Sequence, residues 1–319
     1  MVVSAVGAAA VGVGMAVPAD VVHNRQIAAR LGVDEEWLSS RTGTRERHVA
    51  AGDERLDDLA AQAVTKALAD AGIDPSAVDL VLVGTTSPEE MSPHAAPIVA
   101  EAIGATGAGA MDISAACTGF LSGLSLAAGQ IEAGRAHTAV VVGADRLSRY
   151  LDPDDRGTAM LFGDGAGAVV LTAVDGGSRI GPSRLHSDGS GQHLIRLGRD
   201  DLRITMDGPT VYRYAVRSMT EVTREVLADA GLGVGDVDLF VYHQANSRII
   251  ASVGRRLGLD PDRVVDVVAE FANTSAASLP IALAAAKASG RLHPGDRVLL
   301  SAFGAGMVWG GLLLEWGGG

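Results

Sequence analysis

The chain has 319 residues, which suffices for two domains or one large α/β unit, and 47% of its residues are hydrophobic. Its net charge of −12 argues against general binding to nucleic acid. Its single cysteine excludes an internal disulfide framework and a cysteine-based zinc cluster, so we expect a packed protein of the reducing cytoplasm.

The N-terminal twenty residues are apolar but lack the positively charged start of a signal peptide. Their glycines and β-branched residues, followed by Pro18, predict a first buried strand. No segment of the sequence is long and apolar enough for a membrane helix, so we expect no membrane partner.

The rest of the chain carries an internal repeat. LADAGIDPSAVDL at 68–80 and LADAGLGVGDVDL at 227–239 agree at 8 of 13 positions, at an offset of 159 residues. The same offset aligns the buried-strand patterns at 136–145 and 295–304. We predict a duplicated domain in which helices over 57–71 and 215–230 each end at a glycine and lead into a strand.

Strands that alternate with helices predict parallel sheets with helices on their faces, and ligands that bind beyond the carboxyl ends of the strands. The offset pairs Gly84 with His243 and Ser114 with Asn273. If the halves pack about a pseudo-twofold axis, Cys117, His243 and Asn273 converge from both halves.

Each of these three residues also has a purely structural interpretation. Cysteine is often a small core residue, but Cys117 lies between a strand-like segment and a predicted helix, where the helix N-terminus favours the nucleophilic thiolate. His243 is either a core histidine or a site residue, and Asn273 is either a helix N-cap or a site residue. The glycine-rich segment at 162–171 lacks the phosphate-loop pattern and predicts close backbone packing. No acidic or histidine cluster has metal-ligand spacing, so we expect no metal and no cofactor.

Six segments, in order along the chain, carry a resemblance to a known family. They are WLSSRTGTRERHVA (37–50), DISAACTGF (112–120), DRGTAMLFGDGAGAVVL (155–171), YHQANSRII (242–250), NTSAASLP (273–280) and AFGAGMVWG (302–310). With them the chain resembles the β-ketoacyl-acyl-carrier-protein synthase III family of the thiolase superfamily. The resemblance implies an α/β thiolase-like fold, in which duplicated βαβαβαββ halves form a five-layered αβαβα arrangement. We predict the N-terminal half over 1–173, with the nucleophile, and the C-terminal half over 174–319, with the histidine and asparagine.

The resemblance also implies a reaction. Cys117, His243 and Asn273 fall on the catalytic triad of the family: the cysteine takes an acyl group from acyl-CoA, and decarboxylative condensation with malonyl-acyl carrier protein follows. His243 and Asn273 are then expected to donate hydrogen bonds to the enolate formed on loss of CO₂. The backbone N–H groups of Cys117 and Ala305 form the other oxyanion hole, and family members are typically homodimers.

Binding residues follow from the same resemblance. Trp37 and Arg156 are expected to sandwich the adenine of coenzyme A, and Arg41 lies near its phosphates. Arginines at four positions match the docking patch for the acidic carrier protein: Arg213, Arg248, Arg255 and Arg256.

The sequence departs from the family at three places. Pro209 stands where an asparagine that contacts pantetheine is expected, Ala272 stands where glycine is usual, and the segment 188–206 is several residues short. This segment forms part of the lid over the acyl site, so the range of acyl groups accepted can differ.

The leading hypothesis is condensation that primes fatty-acid or polyketide synthesis. A second is transfer of the acyl group to a hydroxyl or amine acceptor without condensation. A non-catalytic scaffold is disfavoured by the intact triad, and a biosynthetic thiolase is disfavoured because it needs a second catalytic cysteine. The starter acyl group is not readable from the sequence.

Overall fold

The computed structural model describes residues 6–317. Their strands, in chain order, are β1 (Val6–Ala16), β2 (Val21–His23), β3 (Glu46–His48), β4 (Leu80–Gly84), β5 (Gly109–Ile113), β6 (Thr138–Arg146), β7 (Asp164–Asp175), β8 (Ile180–Ser187), β9 (Ile195–Leu197), β10 (Ile204–Met206), β11 (Leu239–Tyr242), β12 (Val264–Val265), β13 (Arg297–Gly304) and β14 (Val308–Glu315). Their α-helices are α1 (Asn24–Leu31), α2 (Glu35–Thr42), α3 (Leu56–Ala71), α4 (Ala95–Ala102), α5 (Gly119–Glu132), α6 (Gly208–Ala230), α7 (Ser247–Leu257), α8 (Val268–Phe271) and α9 (Ser278–Ala288). The predicted first strand is confirmed as β1, although residues 1–5 lie outside the described part.

Two five-stranded sheets have the same topology. The first has the order β1-β7-β6-β4-β5, and the second, counted from the corresponding edge, has the order β8-β14-β13-β11-β12. In each sheet three strands are parallel and the remaining two pair antiparallel to their neighbours. The predicted duplication is therefore confirmed strand by strand, whereas the boundary between residues 173 and 174 stays a prediction.

Helices α5 and α9 lie between the two sheets. One buried core contains residues of both helices together with the inner faces of both sheets. A second core joins α3 and α4 to the outer face of the first sheet, and a third joins α6 and α7 to the outer face of the second. These layers confirm the five-layered αβαβα arrangement, because each sheet buries both of its faces against helices.

The layers approach each other most closely at glycines. A Cβ atom on Gly143 would lie 2.1 Å from the carbonyl oxygen of Ala276, and one on Gly167 would lie 2.8 Å from Pro280. Both glycines are in the first sheet, and both face the loop and helix that contain Ala276 and Pro280. The glycine-rich segment at 162–171 is thus a site of close backbone packing, as predicted.

Helix boundaries follow local signals, and one helix begins earlier than predicted. Helix α3 ends at Gly72, whose φ of +65° is a left-handed conformation that favours glycine. Helix α6 begins at Gly208 rather than at 215, because the Asp207 side chain accepts a hydrogen bond from the backbone N–H of Thr210 and Pro209 fits the first turn. The predicted start at 215 was therefore wrong, and Pro209 belongs to a helix N-terminus.

Candidate active site

A cavity with a volume of about 530 Å³ opens between the two halves. Cys117, His243 and Asn273 all line it, together with Ser275 and Ala305. The convergence that the repeat predicted is confirmed, because loops at the carboxyl ends of both sheets meet at this cavity.

Cys117 lies in a tight turn, Ala116–Thr118, directly before α5. Ala116 has a φ of +46°, a left-handed conformation that is rare for a residue with a side chain and that costs about 1 kcal/mol or more. The end of β13 packs against this turn: a Cβ atom on Gly304 would lie 2.9 Å from the backbone nitrogen of Cys117. The close approach brings the loop with Ala305 beside the thiol.

The Cys117 thiol is protonated at neutral pH. The residue is half-buried, and burial of the thiol raises its pKa to about 12, with the Asp145 carboxylate adding to the rise. The Ser275 hydroxyl, 3.4 Å from the sulfur, donates a hydrogen bond that lowers the pKa without offsetting the burial. The helix N-terminus was expected to favour the thiolate, and burial of the thiol opposes this effect in the free enzyme.

Alkylation of Cys117 by iodoacetamide is expected to depend on pH without levelling off. Since the pKa is raised, the thiolate fraction grows about tenfold per pH unit from about pH 7 to about pH 10. An unperturbed cysteine would level off above about pH 9. Stopped alkylation followed by mass spectrometry measures the rate, and a plateau near pH 8 would contradict the raised pKa.

His243 follows β11 and is held by its own backbone, whose N–H donates to the carbonyl oxygen of Ser301 at 2.8 Å. Its ring is 3% exposed, and this burial lowers its pKa to about 4, so the imidazole is neutral at physiological pH. The Nδ1 atom lies 2.6 Å from the hydroxyl of Ser278. A neutral ring suits hydrogen bonding to an oxygen that becomes negative, and it is a weak base.

Asn273 is fixed by bonds on both sides. Its backbone N–H donates to the carbonyl oxygen of Leu161 at 2.9 Å, and its carbonyl oxygen accepts from Gly163. The backbone N–H of Ser275 donates to the side-chain Oδ1 at 2.9 Å. A backbone N–H needs an acceptor, so the amide oxygen faces Ser275 and the NH₂ group is free for another partner.

A second turn of the same kind follows Asn273. The turn Ser275–Ala277 precedes α9, and Ser275 has a φ of +53°. The backbone N–H of Ala276 donates to the buried carboxylate of Asp145 at 3.1 Å. The other oxygen of this carboxylate accepts from Thr86 and Ser87, so Asp145 links the loop after β4 to the loop that carries Asn273.

Ala272 has a backbone conformation that glycine normally adopts. Its φ is +55° and its ψ is −155°, and the residue is fully buried. For a residue with a Cβ this region costs about 1–3 kcal/mol. The geometry explains why glycine is usual here, and it shows that the alanine is strained directly beside Asn273.

Ala272→Gly is expected to stabilise the protein. Relief of the strain exceeds the greater entropy of glycine in the unfolded chain, for a net gain of about 1 kcal/mol and a rise in Tm of about 2 °C. Thermal unfolding followed by circular dichroism checks the shift, with Gly129→Ala, on an exposed helical surface, as the control for a glycine–alanine exchange. A lower Tm in Ala272→Gly would contradict the assigned strain.

Of the three residues expected to bind coenzyme A, one lines the cavity and two lie outside its lining. Arg41 is exposed, lines the cavity, and places its guanidinium 4.1 Å from the ring centre of Trp37. Trp37 and Arg156 lie outside the cavity lining, and Arg156 donates to the carbonyl oxygen of Leu31 at 2.8 Å. The adenine sandwich between Trp37 and Arg156 stays a prediction.

The four arginines of the expected docking patch are all exposed. Arg213 and Arg248 line the cavity, while Arg255 and Arg256 lie in the last turn of α7. Within residues 6–317 none of the four has a carboxylate at salt-bridge distance. Their charges are free for a partner.

Around this cavity the sequence analysis missed three residues, of which Arg196 and Ser275 line the cavity and Ser278 does not. Arg196 lines it from the β9–β10 hairpin, which forms the short lid segment. Ser275 and Ser278 contact Cys117 and His243, respectively. The sequence showed that the lid segment is short, but it did not show that the side chain of Arg196 faces the cavity. Pro209 does line the cavity, where its side chain offers no hydrogen-bond donor.

Residues 6–317 hold neither a cluster of metal-ligating side chains nor a membrane-spanning helix. No group of three or more histidine, cysteine, aspartate or glutamate side chains is arranged to hold a metal ion. No helix in this part of the chain is both long enough and apolar enough to span a bilayer.

Comparisons with known proteins agree with one another. Two family models match: 3-oxoacyl-[acyl-carrier-protein (ACP)] synthase III over residues 111–189, and its C-terminal region over residues 227–316. The chain is 47% identical to beta-ketoacyl-[acyl-carrier-protein] synthase III 2 of Streptomyces coelicolor, over 98% of this chain and 94% of that protein. It superposes on 3-oxoacyl-(acyl carrier protein) synthase III of Pseudomonas aeruginosa with a TM-score of 0.93, at 42% identity and covering 97% and 98% of the two chains. The priming β-ketosynthase of the R1128 polyketide pathway gives a TM-score of 0.94 at 36% identity, covering 97% of this chain and 96% of that one.

The protein is thus an acyltransferase with the thiolase-like fold, whose two halves together build one cavity lined by Cys117. Within that class, the chain belongs to the β-ketoacyl-acyl-carrier-protein synthase III family.

Proposed function

We propose that the protein condenses an acyl group from acyl-CoA with malonyl-acyl carrier protein, and so initiates fatty-acid or polyketide synthesis. The observation that carries the proposal is the position of the neutral His243 and the free amide of Asn273 on the same cavity as Cys117. Simple acyl transfer needs a nucleophile and an oxyanion hole, whereas two further donors suit an enolate.

The reaction begins at the sulfur of Cys117. It attacks the thioester carbonyl of acyl-CoA, the carbon–sulfur bond to coenzyme A breaks, and the thiol proton passes to the leaving CoA sulfur. The backbone N–H groups of Cys117 and Ala305 stabilise the negative oxygen of the tetrahedral intermediate. A protonated thiol in the free enzyme avoids a buried unpaired charge before the substrate arrives.

Condensation follows on the acylated enzyme. Malonyl-acyl carrier protein loses CO₂, and the electron pair of the broken bond forms an enolate whose oxygen accepts hydrogen bonds from His243 and Asn273. The enolate carbon attacks the acyl carbon, Cys117 leaves as thiolate, and it recovers a proton from solvent. One proton is consumed per turnover, and the products are 3-oxoacyl-acyl carrier protein, CO₂ and free coenzyme A.

Substrate recognition rests on aromatic and arginine side chains. We propose that Trp37 and Arg156 hold the adenine of coenzyme A and that Arg41 contacts its phosphates. Arg213, Arg248, Arg255 and Arg256 form the docking patch for the acidic carrier protein. Four exposed arginines that have no salt-bridge partner within residues 6–317, in a chain with a net charge of −12, favour an anionic partner at this surface.

Charge reversal at Arg255 and Arg256 is expected to weaken carrier-protein binding alone. The double variant Arg255→Glu/Arg256→Glu raises KM for malonyl-acyl carrier protein about tenfold or more, because like charges then face each other. Cys117 acylation by acyl-CoA stays unchanged. Arg135→Glu, an exposed reversal just after α5, is the matched control, and an equal effect in the control would refute local docking.

A homodimer is supported by the free edge of the first sheet. Strand β5 is outermost and five residues long, and Met111 on it is 52% exposed. Met91, in the loop between β4 and α4, is 79% exposed, and Leu126 on α5 is 49% exposed. The corresponding edge strand β12 has only two residues. We propose that two copies pair along β5, which light scattering tests with wild type and Met111→Lys.

A reduced thiol nucleophile fits the reducing cytoplasm, where we propose that the enzyme works.

An acyltransferase that passes the acyl group to a hydroxyl or amine is the second candidate function. The strained Ala272 beside Asn273 and the short lid favour it.

The deciding experiment is intact-mass analysis in two steps. Incubation with a panel of acyl-CoAs is expected to add one acyl mass to the wild type and none to Cys117→Ala. Addition of malonyl-acyl carrier protein is then expected to remove the acyl mass from the enzyme and to yield 3-oxoacyl-acyl carrier protein. If no adduct forms, or if it also forms in Cys117→Ala, the mechanism is refuted. If an adduct forms that only a hydroxyl or amine acceptor discharges, the second candidate is correct.

A further inference from the structure

Ser278, the first residue of α9, contacts the far side of the His243 ring. Its hydroxyl oxygen lies 2.6 Å from Nδ1, and the two residues are 1% and 3% exposed. The Ser278 hydroxyl has no other hydrogen-bond partner within residues 6–317, and no described residue bonds to Nε2 of His243. The other ring nitrogen is therefore left for the cavity that His243 lines.

The direction of this hydrogen bond decides which ring nitrogen carries the proton. A neutral imidazole has one N–H donor and one acceptor nitrogen. If Nδ1 donated to Ser278, the buried hydroxyl proton would have no acceptor, at a cost of about 1–3 kcal/mol. If Ser278 donates to Nδ1, the hydroxyl is satisfied, and the ring proton resides on Nε2.

We propose that Ser278 is a positioning residue that holds His243 in its Nε2–H tautomer, so that the ring presents a hydrogen-bond donor to the cavity. The catalytic role of this tautomer rests on the proposed function, because the enolate oxygen of that reaction accepts a hydrogen bond from the Nε2–H group of His243. Ser278 itself does not touch the substrate.

The proposal predicts that the tautomer of His243 affects condensation but not acylation. A ring with its proton on Nε2 offers no lone pair to the cavity, so it does not accept the Cys117 proton. Acylation of Cys117 is then independent of the tautomer, whereas enolate stabilisation requires it. A role for His243 as the general base for Cys117 would need the opposite tautomer.

The test measures the tautomer directly and then each step separately. Nitrogen-15 NMR of enzyme labelled in its histidine rings, with the signal assigned by its loss in His243→Gln, is expected to show a protonated Nε2 and an unprotonated Nδ1. Ser278→Ala is expected to slow condensation about tenfold or more, to leave single-turnover acylation within about threefold, and to change the nitrogen shifts. Ser278→Thr retains a hydroxyl and is expected to restore both the shifts and the condensation rate.

Each outcome is decisive. A protonated Nδ1 in the wild type would overturn the proposal even if the variants failed to fold. Equal loss of acylation and condensation in a folded Ser278→Ala would also overturn it, since that indicates a general structural role. Failure of the proposed function would appear separately, as absence of condensation in wild type with the Nε2–H tautomer still present.

Discussion

Replacing His243 or Asn273 with alanine is expected to slow condensation by about 100- to 1,000-fold while acylation of Cys117 stays within about threefold. Each variant removes one donor from the enolate oxygen and leaves the nucleophile and the backbone N–H groups in place. The double variant His243→Ala/Asn273→Ala is expected to lose little more than either single variant, because the two donors act on the same charge.

Single-turnover mass spectrometry separates the steps: acyl-CoA alone reports acylation, and release of labelled CO₂ from malonyl-acyl carrier protein reports decarboxylation. His137→Ala is the control, because this exposed histidine precedes β6 and lies at the opposite end of the sheet. Equal losses in both steps would show that His243 and Asn273 serve the nucleophile instead. Decarboxylation at the wild-type rate in both variants would remove the main support for condensation.

Replacing Gly304 with alanine is expected to reduce acylation of Cys117 about 100-fold. The added methyl group would lie 2.9 Å from the backbone nitrogen of Cys117, 3.2 Å from its Cβ and 3.3 Å from the Cβ of Ala116. These neighbours belong to the strained turn, and Gly304 is the last residue of the buried strand β13, so the backbone has to shift. A shift moves the N–H groups of Cys117 and Ala305 away from the position of the oxyanion.

The measurement is the rate of acyl-Cys117 formation at saturating acyl-CoA, so that weaker substrate binding does not enter. Gly129→Ala is the control, since no atom lies within 4 Å of the added methyl group there. Thermal unfolding checks that Gly304→Ala is folded. Unchanged acylation in the folded variant would show that the oxyanion hole does not depend on this contact.

The sequence predicted the architecture well because the duplication leaves a regular signal. Helix ends at Gly72 and Gly231 and buried strand patterns repeat along the chain. They predicted α3, β4 and β6 in the first half and β11 and β13 in the second. The same offset brought His243 and Asn273 to the cavity with Cys117.

Side-chain environment was not readable in this way. The pKa of Cys117 depends on burial by residues far away in the chain, which a rule based on the adjacent helix does not include. The contact of Ser278 with His243 spans 35 residues, and the Arg196 side chain reaches the cavity only through the hairpin. These features arise from packing, which residue patterns along one segment do not encode.

The turn that carries Cys117 has a counterpart in the second half that lacks a thiol. The offset of 159 residues pairs Ala116 with Ser275 and Cys117 with Ala276, and both Ala116 and Ser275 have a positive φ of similar size. It also pairs Gly304, beside the Cys117 nitrogen, with Asp145, whose carboxylate accepts the N–H of Ala276. The turn with Cys117 lines the cavity, whereas the N–H of Ala276 in the second turn is already bonded to the Asp145 carboxylate, so the chain has a single thiol in a cavity that is built from both halves.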